Sequence, residues 1–184
     1  ALKMKSAVAS LAQKQALAMQ LSEACRLYNA ALQERRDAYQ RGGVSLNYYA
    51  QANQLKAIRQ AGDCALANFS ASQDVLRRVD KTFKAFFGRC KTGKKAGYPR
   101  FKSHRRFDSY TFPSYGDGCR LTGARLYLQG VGHIKVELHR QVEGSIKTVS
   151  VKRAAGKWYA CCSVEYRAEG LPVSDAKVGL DVGL

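Results

Sequence analysis

The chain is poor in acid. Its 184 residues hold 14 Asp and Glu against 31 Lys and Arg, a formal charge of +17. Such an excess works against compactness through self-repulsion and favours a polyanionic partner. No stretch reaches the roughly 18 apolar residues of a membrane-spanning helix, so an anionic membrane is the weaker candidate and no membrane partner is expected. The first residues, ALKMKSAVAS, have no continuous apolar core and do not read as a secretory signal. C-x-x-C pairs are also missing. Cys25, Cys64, Cys90, Cys119, Cys161 and Cys162 are scattered or adjacent, which argues against a zinc site in these residues. Six thiols could pair in principle, but without a signal they suggest a reduced, cytoplasmic protein. His104, His133 and His139 have no ligand spacing and read as ordinary polar residues.

Aromatics are plentiful, with ten Tyr and seven Phe. Combined with the positive charge, they make nucleic acid the first choice of partner, since their rings can stack on bases.

Residues 2–9, LKMKSAVA, alternate as a short strand, and Ser10 is placed to cap a helix. Leu17, Leu21, Ala24, Tyr28, Ala31 and Leu32 then recur at three- and four-residue steps, with Arg26, Arg35 and Arg36 expected on the surface. RGG at 41–43 stops that helix. A second, polar helix is expected from Ser45 to Gln60. After the Gly62-Asp63 break a third carries Phe69, Leu76, Val79, Phe83 and Phe87 along one side.

Composition changes at Gly88. Between residues 81 and 106 there is no acid, but there are ten cations: Lys81, Lys84, Arg89, Lys91, Lys94, Lys95, Arg100, Lys102, Arg105 and Arg106. Gly93, Gly97 and Pro99 make the centre of this stretch a loop. A basic run is most often a solvated face. Tyr98, Phe101 and Phe107 interrupt this one, and aromatics have little reason to exist in a disordered tail, so an ordered nucleic-acid surface is expected. From Ser109 to Arg167 the pattern is β. SYTFP, ARLYLQ and HIKVELH are separated by Gly-rich turns, and SIKTVSVKR and KWYACCSVEYR flank AAG as a hairpin. Four or five short strands suggest a small OB-like barrel.

The last seven residues, VGLDVGL, alternate as a strand with Asp181 at its centre. A carboxylate there is costly unless it is solvated, hydrogen-bonded or bound to a cation. Taken alone, the stretch leaves open a plain strand-end Asp or a metal ligand. A start on Ala and a stop in mid-strand are what a fragment or trimmed chain would show.

LSEACRLYNAAL (21–32), FKAFFGRCKTGKKAGYPRFKS (83–103), DSYTFP (108–113) and VGLDVGL (178–184) resemble, in that order, the N-terminal half of TnpB proteins. These are RNA-guided nucleases of bacterial insertion sequences, often described as accessory transposases and related to the type V CRISPR nucleases. The chain departs from the family after the first strand, where VASLAQKQ replaces the usual Tyr-Pro. The resemblance implies an α+β fold: an OB-like wedge β-barrel with an inserted helical recognition unit, followed by the first strand of a truncated RNase H-like (RuvC) domain. The corresponding boundaries are 1–9 for the first wedge strand, 10–88 for the helical unit, 89–172 for the basic loop and barrel, and 173–184 for the linker and RuvC-like strand.

The resemblance also implies a function. This portion would bind a guide RNA and a target double-stranded DNA carrying an adjacent motif, in the cytoplasm of a bacterium or archaeon. Tyr48, Gln73 and Ser114 match motif-contacting positions, and the ten cations of 81–106 would meet nucleic-acid backbone. Asp181 matches the first of three acids holding two Mg²⁺ ions for phosphodiester cleavage. The other acids, and a zinc ribbon, would lie beyond Leu184, so the 184 residues alone would be catalytically incomplete. Two other classes compete. Sugar kinases and heat-shock ATPases open on a similar strand but lack a preceding basic loop and barrel. A non-catalytic basic module, of ribosomal or single-strand-binding type, would fit the helices and barrel without any chemistry.

Overall fold

The computed structural model describes residues 2–4, 10–138 and 142–166, with the backbone alone at 2–4. The linker from 173, the strand at 178–184 with Asp181, and His139 all lie outside the described residues.

The helices come first. Ser10 caps α1 (Leu11–Gly42) through a reciprocal pair of bonds with Gln13, whose side chain reaches back to the Ser10 N–H at 3.1 Å. Gly43 ends the helix in the left-handed conformation, φ +64°, where a Cβ would be strained. The apolar stripe expected from the sequence is buried from Leu17 to Leu32. α2 spans Tyr48–Gln60 and is capped by Asn47 rather than Ser45, the Asn47 side chain accepting from the Ala50 N–H at 3.0 Å. α3 spans Phe69–Lys91 and runs through Gly88 without a break. Its inner side is Val75, Leu76, Val79 and Phe83, whereas Phe69 and Phe87, expected on that side, are exposed. Arg35, expected on the surface, is buried, because Gln51 and Asp80 accept its N–H groups at 2.7 and 3.1 Å.

Seven strands follow one antiparallel order. They are β1 (Leu2–Met4), β2 (Ser109–Phe112), β3 (Cys119–Thr122), β4 (Arg125–Leu128), β5 (Gly132–Glu137), β6 (Ser145–Ala154) and β7 (Lys157–Glu165). Their spatial order is β2-β6-β7-β1-β5-β4-β3, in two small sheets that meet at β5. β1 pairs with both β7 and β5, although all three helices separate it from them in the chain. Alternation sets the core. Tyr110, Phe112, Leu126, Leu128, Ile134, Val136, Val149, Val151, Trp158 and Ala160 face inward. Cys161 and Cys162, adjacent on β7, fall on opposite faces of the strand, and both are free.

Among the described residues the strands do not close into a barrel. β2 and β3 are the two edges. At Leu121 the exposed edge of β3 is satisfied by a side chain and not by a further strand. Tyr115 Oη accepts from the Leu121 N–H at 2.9 Å and donates to the Leu121 carbonyl at 3.3 Å, where a barrel would need another strand. The fold is therefore α+β with small antiparallel sheets.

Two features join helices to sheet. Arg78 on α3 donates to the Ser109 carbonyl at 2.6 Å and to Thr111 Oγ1 at 2.7 Å, both on β2. Gly130, in the β4–β5 turn at φ +82°, lies so near the helical unit that a Cβ there would fall 2.5 Å from the Ala67 Cβ. Only glycine allows that approach.

Candidate nucleic-acid interface

The segment after α3 has no helix or strand from residue 92 to 108, yet it is held at several points. Tyr98 packs edge-on against Phe83 and Phe86, with centroids 5.9 and 5.4 Å apart. Pro99 and Phe107 are buried, and Phe107 meets Tyr28 of α1 at 5.7 Å. Asn29 clamps the backbone between these anchors. Its amide donates to the Lys102 carbonyl at 2.8 Å and accepts from the Lys102 N–H at 2.9 Å. Arg153 on β6 holds the far end, donating to the His104 carbonyl at 2.8 Å.

With the main chain so fixed, the cations point outward. All ten, Lys81, Lys84, Arg89, Lys91, Lys94, Lys95, Arg100, Lys102, Arg105 and Arg106, are exposed. Only Lys84 has an acidic partner among the described residues, Asp80 at 2.9 Å. Lys102 also lies over the Tyr28 ring, 5.1 Å from its centre.

A groove of about 680 Å³ runs between α2 and α3, and it brings Tyr48 and Gln73 together with Lys81 and Lys84. Arg77 and Asp80 line it as well. Arg77 stacks over the Tyr48 ring at 5.1 Å. Burial alone would raise the Asp80 carboxyl, but hydrogen bonds from Lys84 and Arg35 outweigh it and hold the group below its ordinary value. Sequence reasoning missed Arg77 and Asp80. The signal was available: 73, 77, 80, 81 and 84 fall on one face at helical spacing. Ser114 does not join this groove. It is exposed in the turn between β2 and β3, where its carbonyl accepts from the Asp117 N–H at 3.2 Å.

Among the described residues no three His, Cys, Asp or Glu are grouped to hold a metal, and no helix is long and apolar enough to cross a membrane. Cys25, Cys64 and Cys119 are buried, and burial pushes the Cys119 thiol up to about 11, which leaves it a poor nucleophile near neutral pH. Asp181 lies outside the described residues.

No protein-family model matches the chain. Among curated proteins, "Putative RNA-guided DNA endonuclease InsQ" of Escherichia coli (strain K12) is 30% identical over 169 residues. The match covers 88% of this chain and 40% of that protein, so the chain spans less than half the length of its relative. An identity of that extent, together with the ordered sequence blocks, makes the chain a partial, N-terminal member of the TnpB-like family.

Proposed function

We propose that the chain is the guide-RNA- and target-DNA-binding portion of an RNA-guided DNA endonuclease. The observation that carries this reading is the ten exposed cations of 81–106, four on α3 and six on a loop that Asn29, Tyr98 and Phe107 hold in place. A fixed array of charge suits a phosphate backbone better than a flexible tail does, because less order has to be gained on binding. The groove beside it supplies a reader. Gln73 can pair bidentately with adenine in the major groove, and Tyr48 and Arg77 can contact the same base step. This would be where the motif beside the target is recognised, with Ser114 contacting from the β2–β3 turn. The seven strands, with β1 paired to later strands across the inserted helices, would be the open counterpart of an OB-like wedge. The protein would act in the cytoplasm, where its free thiols stay reduced.

Cleavage would belong to a RuvC-like domain opening on the strand of Asp181. Two Mg²⁺ ions held there would activate water and stabilise the leaving oxygen of a phosphodiester. In this chain Asp181 would contribute a carboxylate, and Gly179 and Gly183, two positions to either side, would leave room for a hard cation and a phosphate.

The test has two arms. If about five of the ten cations neutralise phosphates, duplex affinity falls with salt at a log–log slope of about −4.5. Replacing Lys94, Lys95 and Arg100 together by Ala lowers that slope without altering sequence preference. A slope near zero would refute the binding assignment. In the full-length protein, Asp181→Ala abolishes cleavage while guide binding persists. Cleavage near the wild-type rate would refute the metal assignment and return Asp181 to a structural role.

A further inference from the structure

The outward face of β3, β4 and β5 carries a second array, set by strand register. Arg120 stands opposite Tyr127, and Tyr127 opposite His133, so three strands contribute one row. In the next row Thr122 faces Arg125, and Arg125 faces Lys135. The Tyr127 and His133 rings lie 5.1 Å apart, and with Arg120 and Thr122 they line a shallow hollow of about 330 Å³. The backs of the same strands are buried through Leu126, Leu128 and Ile134, which gives the rows a rigid support.

This arrangement does not stabilise the sheet by itself. Like charges directly opposite each other, as Arg125 and Lys135 are, destabilise a strand pair. Among the described residues no acid lies within ion-pair distance of Arg120, Arg125, Lys135 or His133. An aromatic ring at the centre of uncompensated positive charge is complementary to a nucleotide: a flat base with phosphate on either side. The row crosses three strands, about 10 Å at sheet spacing, which accommodates one base and its flanking phosphates.

We propose that this face binds an unpaired nucleotide of the RNA, the base stacking on Tyr127 beside His133 and the phosphates meeting Arg120, Arg125 and Lys135. The assignment rests on the reading given under Proposed function and extends it to a second, separate contact. An unpaired nucleotide is required because a base inside a duplex has both faces covered by its neighbours. RNA is the choice because, on that reading, the guide can offer an unpaired base whereas the target is duplex.

The experiment uses the 184-residue chain and an unstructured, mixed-sequence oligoribonucleotide of about a dozen nucleotides, a length within the range of single-strand binding sites. Tyr127→Trp keeps a stacking ring and makes it a reporter; the native Trp158 is buried on β7. Addition of the oligonucleotide quenches the new fluorescence. Tyr127→Ala weakens binding about ten-fold, and Arg125→Gln reduces the salt slope by about 0.7. Thermal melts of each variant check that the sheet is intact. Unquenched Tyr127→Trp with the oligonucleotide bound, or a folded Tyr127→Ala of undiminished affinity, overturns the proposal. Equal affinity and quenching by DNA of the same sequence overturns the RNA assignment, giving the face to a displaced DNA strand. Loss of RNA binding on replacing Lys94, Lys95 and Arg100, with the Tyr127 variants unchanged, leaves the proposed function standing and removes this site alone. A wild-type chain that binds no nucleic acid removes both.

Discussion

The helical unit and the sheet are held together by different means. All five buried polar or charged residues found among the described residues, Gln20, Arg35, Gln51, Asn68 and Ser72, lie in the helices and their connections. Gln51 donates to the Ala31 carbonyl and to Glu34 while accepting from Arg35, tying α2 to α1. Asn68 caps α3 and also donates to Gln129 and Asp117. Among the described residues the interior of the sheet is built from aliphatic, aromatic and thiol side chains, and the Tyr110 hydroxyl within it is buried without a partner. A short helix such as α2, with Leu55 its only buried apolar side chain, cannot be positioned by apolar area alone. Directional bonds supply what its surface lacks, and they also fix the walls of the groove.

Three substitutions test this contrast. On the sheet side, Phe112→Ala empties a site that is 1% exposed and lowers unfolding free energy in urea by about 3–5 kcal/mol. On the helical side, Asp80→Asn removes the counter-charge from buried Arg35 and costs about 2 kcal/mol at neutral pH, less than a fully buried pair because Asp80 keeps some exposure. The sign follows from the lowered carboxyl. Its contribution is complete above the ordinary Asp value of 3.8 and is lost as pH falls through the folded value beneath it. Wild type and Asp80→Asn therefore converge in acid, whereas Phe112→Ala keeps its deficit at every pH. An Asp80→Asn deficit that does not shrink in acid would break the comparison. The smallest effect is a gain. Ala155 takes φ +47° in the β6–β7 turn, with Gly156 at +71°, so Ala155→Asn gives the Asn-Gly pair this turn favours and adds about 0.5–1 kcal/mol by thermal melt.

The same contrast accounts for what could be read from the sequence. The Ser10 cap, the stripe from Leu17 to Leu32 and the AAG hairpin are local signals, and each is present in the structure. β3 escaped notice because CRLT is four residues between glycines and becomes a strand only through its pairing with β4. The sequence starts α2 three residues early, at Ser45, because Ser45 and Asn47 are both good caps, and only the Ala50 N–H distinguishes them. Burial of Arg35 was invisible for a related reason: its partners Gln51 and Asp80 are 16 and 45 residues away. In the candidate interface the cations were legible one by one. The groove was not, since it exists only where α2 and α3 meet.

The clamp at Asn29 has a consequence for how this surface can change. Both of its bonds at position 102 go to the main chain, the N–H and the carbonyl. Main-chain groups are common to nearly every residue type, so the clamp places no demand on the side chain it holds. Mount and contact surface are thus separable: Asn29, with the packed Tyr98, Pro99 and Phe107, fixes the course of the segment, while its exposed cations can be exchanged singly without moving the rest. The charge displayed here can therefore change in small steps, and substitution at Asn29 itself is the change that would loosen the cations nearest Lys102 together, leaving the four on α3 in place.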